Sequence, residues 1–160
     1  DPFLDATAQA DLVRRGEVTP LELVDQAIAQ IERLNPKLNA VIYQRFEQAR
    51  AEAGTVSGPF RGVPYLLKDL TYSKGDLHAA GIAGVKAAGY RADHDAHLVT
   101  SLRKAGFVLV GSANTPELGL TATTEPEGIG PSSTPWTRSR WPATSTSTPW
   151  PRPAHTTKLP

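Results

Sequence analysis

Two short apolar runs, joined by a stretch long enough to hold one helix, constrain this chain more than any other feature. Val63–Leu67 follows a turn-rich stretch containing Gly58, Pro59 and Gly62, and Phe107–Val110 follows Gly106. Between them, Asp95 can cap a helix that carries Leu98, Val99, Leu102 and Ala105 on one side and stops at Gly106. Apolar runs this short, bounded by turn residues, read as buried strands, and strand, helix, strand is the pattern of a parallel βαβ unit. A parallel sheet is buried on both faces and needs helices on each. The expected class is therefore α/β.

The flanking segments supply those helices. Asp5 can cap a first helix to about Arg15, with Gly16 as its stop. Thr19, Pro20 and Glu22 form a capping box with proline at the first helical position. Leu21, Val24, Ile28 and Ile31 then repeat on one face, and Asn35-Pro36 is expected to end that helix. Leu38–Tyr43 reads as extended and Gln44–Ala53 as another helix. From Gly75 to Gly89, glycines among small residues suggest close backbone packing or a flexible loop. Thr115-Pro116-Glu117 is expected to start a short helix with the cap chemistry of Thr19-Pro20.

Chemistry concentrates at the end of the first apolar run. Lys68 closes it and Asp69 follows. A buried ammonium is costly unless it is paired or deprotonated, so Lys68 is either a strand end reaching water or a functional amine. Residues Gly62–Asp69, GVPYLLKD, resemble the first motif of the amidase signature family, whose catalytic lysine occupies the place of Lys68. Phe107–Leu120, FVLVGSANTPELGL, resembles that family's strand, Gly-(Lys or Ser)-x-Asn-Thr-Pro-Glu turn and short helix. Thr123–Trp136 resembles the approach to its active-site loop.

The resemblance implies a large mixed α/β sheet covered by helices and a Ser–cis-Ser–Lys hydrolase of carboxamides, with small-molecule amide substrates and no cofactor or metal. It implies Lys68 as the catalytic lysine and Thr123 and Thr124 as candidate substrate-lining residues. Asp69 is expected to cap a turn or support the site from behind, and Asn114 and Glu117 to hold a turn near it. A homodimer is the partner arrangement the family suggests. A transamidating relative that acts on misacylated tRNA shares both motifs and is the alternative, as is a non-catalytic fragment that pairs with a separate C-terminal half.

After Trp136 the pattern changes. The chain has no glycine beyond Gly130, and half of its 14 prolines and all three tryptophans fall in the last 30 residues. Such a stretch cannot bury enough apolar surface to offset chain entropy, so residues 137–160 are expected to be a disordered tail behind an amidase portion spanning 1–136. The expected fold is thus an incomplete N-terminal portion of the family's sheet. Ser139, Arg140 and Pro142 survive where the family's Gly/Ser loop does not, which suggests a change of reading frame or an error in the sequence. Ser145 and Ser147 lack the flanking glycines that let backbone amides approach an oxyanion, and Ser132 and Ser133 come too early to match the family's serines.

Composition narrows the class further. A net charge of +1 with interspersed signs gives no sign of nucleic-acid or anionic-membrane binding. Zero cysteine excludes disulfides, thiolate metal sites and a cysteine nucleophile. His94 and His97, beside Asp93 and Asp95, read as a solvated helix start rather than a metal site. Lacking a long apolar run or a basic-then-apolar N-terminal pattern, the chain is expected to be cytoplasmic, and the absence of any methionine implies that it was trimmed at the front.

Overall fold

The computed structural model describes residues 4–133; the expected tail, with Ser145 and Ser147, lies outside the described residues. The elements run α1 (Ala6–Arg14), α2 (Pro20–Leu38), β1 (Val41–Gln44), α3 (Phe46–Ala53), β2 (Pro64–Lys68), α4 (Ala83–Ala87), α5 (His97–Ala105) and β3 (Val108–Ala113), then a 3₁₀ turn at Glu117–Gly119. The strands form one sheet in the order β1-β3-β2. β2 and β3 are parallel, as the strand, helix, strand pattern requires, with Pro64 opposite Val108 and Lys68 opposite Ala113. β1 is antiparallel to β3, which makes the sheet mixed.

Side-chain alternation divides β3 between two cores. Val108 and Val110 face Val24, Ile28, Ala49 and Ala53 from α2 and α3. Leu109 faces the other way, joining Leu67 and Val99 of α5. Both faces are thus covered, and β3 is buried along almost its whole length. Removing side chains such as Ile28 and Val24, 1% and 0% exposed, from water stabilises the fold by about 1.5–3 kcal/mol each. No helix among the described residues is long and apolar enough to cross a membrane.

The turn before β2 wraps the end of α5. The Phe60 amide donates to the Ala105 carbonyl at 2.8 Å, and the Gly62 amide to the Gly106 carbonyl at 2.9 Å. Gly62 has φ +81, and a Cβ there would lie 2.4 Å from the Pro20 Cβ, so only glycine lets this turn dock on the start of α2.

The capping box at α2 forms as expected: the Glu22 amide donates to Thr19 Oγ1 at 3.2 Å and the Thr19 amide to Glu22 Oε2 at 2.7 Å. Three local expectations need correction. First, α2 runs through Pro36 and ends at Asn39, in the left-handed conformation with φ 48. The Asn39 amide donates to the Asn35 carbonyl, while Asn35 Oδ1 accepts from the Ala40 and Val41 amides at 2.9 and 2.7 Å. That side chain closes the helix and starts β1, carrying the chain past the proline. Second, Asp95 does not cap α5, whose N-cap is Ala96. Asp95 instead accepts from the Lys74 amide at 2.7 Å and lies 3.4 Å from Arg103. Third, the helix after Thr115 is a single 3₁₀ turn capped at Pro116 without a side-chain bond. The glycine-rich stretch is ordered: it holds α4 and a bridge between Leu77 and Arg91.

Candidate active site

Parallel pairing places the ends of β2 and β3 side by side. Lys68 is the last residue of β2, opposite Ala113, and Asn114 follows one residue on. The Asp69 amide donates to the Ala113 carbonyl at 3.0 Å, and the chain then turns back through bonds from the Leu70 and Thr71 amides to the Lys68 carbonyl. The Lys68 side chain is exposed and has no hydrogen-bond or ion-pair partner among the described residues. The apolar cover expected around a neutral amine is therefore not supplied by residues 4–133.

Asp69 points the opposite way and is 1% exposed. Its Oδ1 accepts from the Ala79 amide at 3.0 Å and its Oδ2 from the Gly81 amide at 3.4 Å. Burial pushes its carboxyl above the ordinary value of 3.8, while the amides of residues 79–81 and nearby His78 oppose that rise. His78 Nδ1 lies 3.7 Å from the carboxylate, and the ring packs 4.4 Å from Tyr72 and 6.3 Å from Tyr90. Asp69 is a turn-capping carboxylate.

The captured loop locks onto the second motif. The Leu118 amide donates to the Ala80 carbonyl at 2.8 Å. At Gly81, φ +75, a Cβ would sit 2.9 Å from Glu117 backbone atoms. Asn114 is buried, and its Oδ1 accepts from the Thr115 amide at 2.9 Å. Its Nδ2 donates to the Gly130 carbonyl at 3.1 Å and to Ser132 Oγ at 3.0 Å. Ser132 Oγ donates in turn to the Asn39 carbonyl at 2.8 Å. That hydroxyl is thus held in a structural network. The Thr115 hydroxyl is buried without a partner among the described residues.

Thr123 is exposed and Thr124 half-buried. Their carbonyls accept from Thr121 Oγ1 and from the Ser132 amide, which shapes the approach loop. No hydrogen bond joins either residue to Lys68 among the described residues. Sequence reasoning missed Asn39, although asparagine is among the residues that take the left-handed position at a helix end. It also missed Arg45, which pairs with Glu52 and Asp76 and donates to the Leu109 carbonyl.

A sequence model of the Amidase family matches residues 22–147. The chain belongs to the amidase family. The 6-aminohexanoate-cyclic-dimer hydrolase of Paenarthrobacter ureafaciens is 55% identical over 141 residues, covering 88% of this chain and 29% of that protein. A solved 6-aminohexanoate cyclic dimer hydrolase complexed with substrate superposes with a TM-score of 0.82 at 54% identity, over 85% of this chain and 28% of that one. A glutamyl-tRNA(Gln) amidotransferase component of Salinispora arenicola is 33% identical over 151 residues, covering 89% of this chain and 30% of that protein. The chain therefore spans roughly three tenths of the length of the curated relatives it matches.

Proposed function

We propose that this amidase-family chain contributes Lys68 to a site that hydrolyses carboxamides, and that its substrates are small cyclic amides of the 6-aminohexanoate dimer kind. The observation that carries the reading is the position of Lys68 at the end of β2, within GVPYLLKD and beside the Asn-Thr-Pro-Glu turn of β3. The 55% identity to the Paenarthrobacter hydrolase supports the substrate class. The amidotransferase reading has weaker support, at 33% identity.

In this mechanism a neutral lysine amine accepts a proton from a bridging serine, which deprotonates the nucleophilic serine as it attacks the amide carbon. Backbone donors hold the oxyanion, typically for a few kcal/mol each. Collapse expels the amine, protonated by the same relay, and water then releases the acid. A neutral amine requires burial, so the part of the enzyme that carries the serines must also cover Lys68. The 160 residues hold no glycine-flanked serine beyond Gly130, and the chain by itself is expected to turn over no amide.

The test joins residues 1–133 to the remaining C-terminal part of the Paenarthrobacter hydrolase and assays release of amine from the cyclic dimer. Hydrolysis that disappears in Lys68→Ala supports the proposal. Full activity in that variant, or turnover by the 160-residue chain alone, would refute it. In the 160-residue chain, where Lys68 is exposed and without a partner among the described residues, Lys68→Ala should leave stability within about 0.5 kcal/mol of the parent; thermal melts of the two chimeras, in which the lysine is covered, separate lost activity from lost fold.

A further inference from the structure

The approach loop reaches the Lys68 end of the sheet through two asparagine side chains that belong to different parts of the chain. Asn39 Nδ2 lies 3.2, 3.3 and 3.2 Å from the carbonyl oxygens of Ile129, Gly130 and Pro131. Asn114 Nδ2 donates to the Gly130 carbonyl at 3.1 Å, and the two amides therefore share one acceptor. Ser132 Oγ bridges them, accepting from Asn114 and donating to the Asn39 carbonyl. Backbone bonds complete the seat: the Ser133 amide donates to the Leu38 carbonyl, the Ser132 amide to the Thr124 carbonyl, and the Asn114 amide to the Ala40 carbonyl, each at 2.8 Å.

We infer that Asn39 and Asn114 together form an amide clamp that fixes residues 129–133 against the end of the β2–β3 pair. The inference rests on the reading of Lys68 as the site's amine and says how the chain leading toward the serine loop is set relative to it. The geometry suits that task. Asn114 follows directly on Ala113, the residue opposite Lys68, so anything Asn114 grips is referenced to the lysine through one ladder position. Asn39 is itself fixed as the left-handed C-cap of α2, its backbone amide donating to the Asn35 carbonyl at 2.8 Å. Carbonyl oxygens of a loop have no intrinsic partner, and primary amides, with two donors each, satisfy several at once. An asparagine that served only as a helix cap would have no need to face three loop carbonyls.

The two roles of Asn39 are separable. Glycine takes the left-handed conformation more readily than asparagine, so Asn39→Gly keeps the helix cap and deletes the Asn39 side of the clamp. Asn114→Asp keeps an acceptor for the Thr115 amide and removes the donors to Gly130 and Ser132. Amide hydrogen exchange on the 160-residue chain reads the result, with the Ser132 and Ser133 amides as reporters and the Val108 amide of β3, which donates to the Val63 carbonyl at 2.9 Å, as the internal reference. In each variant the two serine amides should exchange at least about tenfold faster than in the parent, as expected for loss of more than one hydrogen bond of ordinary net strength, while Val108 stays protected. Asn39→Gly should leave the thermal midpoint unchanged or raised. Serine amides that exchange as fast in the parent as in the variants overturn the clamp. So does an Asn39→Gly chain whose serine amides keep parental protection. Neither reporter depends on turnover, so failure of the clamp and failure of the Lys68 assignment are told apart.

Discussion

Arg45→Met tests whether the loop following Lys68 is held by a buried cation. Arg45 begins the corner between β1 and α3, and its side chain is only 10% exposed. Nε donates to Asp76 at 2.8 Å, Nη2 to Glu52 at 2.9 Å and Nη1 to the Leu109 carbonyl at 2.9 Å. Burial alone would lower the guanidinium's pKa, yet the two carboxylates raise it, so the cation is retained. Deleting one member of a buried, hydrogen-bonded charge group costs about 3–5 kcal/mol, because the remaining charges stay buried without it. Here the cost is moderated: Glu52 is 32% exposed and keeps Arg103 at 3.8 Å, and Asp76 keeps the Ser73 hydroxyl. Methionine also preserves much of the apolar volume. The expected loss is therefore about 2–4 kcal/mol, which lowers the urea midpoint by roughly 1–2 M at an ordinary denaturant slope. Urea titrations followed by far-UV circular dichroism measure it. Arg45→Lys should recover less than half, because one compact ammonium cannot serve acceptors on three different segments. A loss below about 1 kcal/mol in Arg45→Met would show that the network contributes no net stability, and the reasoning would fail.

Other expectations rest on single atoms. Thr115→Val replaces a buried hydroxyl that has no partner among the described residues with a methyl group of equal size, and should be neutral or stabilising by about 1 kcal/mol in the same titration. A destabilised Val variant would mean that the hydroxyl is bonded after all. Gly81→Ala adds left-handed strain of about 1–2 kcal/mol and a clash with the Glu117 backbone, so a loss of roughly 2–4 kcal/mol is expected; a tolerated alanine would contradict the close approach of these loops. The raised carboxyl of Asp69 gives a pH signature. Its protonated form is favoured by folding, so its contribution is full below pH 3.8 and is lost as pH rises through the higher folded value. The stability of the parent relative to Asp69→Asn should therefore fall across that interval, and a rise would refute the assignment.

Much of the framework was legible because local chemistry and tertiary demand agree. Thr19-Pro20-Leu21-Glu22 places glutamate at the third helical position, where it reaches back to the cap, and α2 starts there. Thr115-Pro116-Glu117 resembles it but brings the glutamate one residue too early, with Leu118 where the reach-back would come from. Thr115 is buried in the turn that follows β3, so no comparable helix forms. Asn35-Pro36 misled for a different reason. A proline only forbids one donor and crowds its predecessor, and the end of α2 is set beyond it, where Asn35 Oδ1 accepts from the Ala40 and Val41 amides at the start of β1. The candidate site could be proposed from its motifs, but its connections could not be read from them. Lys68 and Asn114 announce themselves by neighbours in sequence, whereas Asn39 and Arg45 act on carbonyls and carboxylates many residues away.

The strand order carries a consequence for how such a chain comes to be made. Among the described residues β3 is the last strand in sequence and the middle one in space. Until Val108–Ala113 has been synthesised, neither Val41–Gln44 nor Pro64–Lys68 has the strand it pairs with there. During that wait α1, α2 and α3 can form, but the two waiting strands offer unpaired edges to any neighbouring nascent chain. Arrival of one hexapeptide then closes both ladders and joins the two cores at once. Within residues 4–133 the sheet is thus completed in a single step, and a polypeptide cut short before Val108 would keep helices while lacking the strand that joins them.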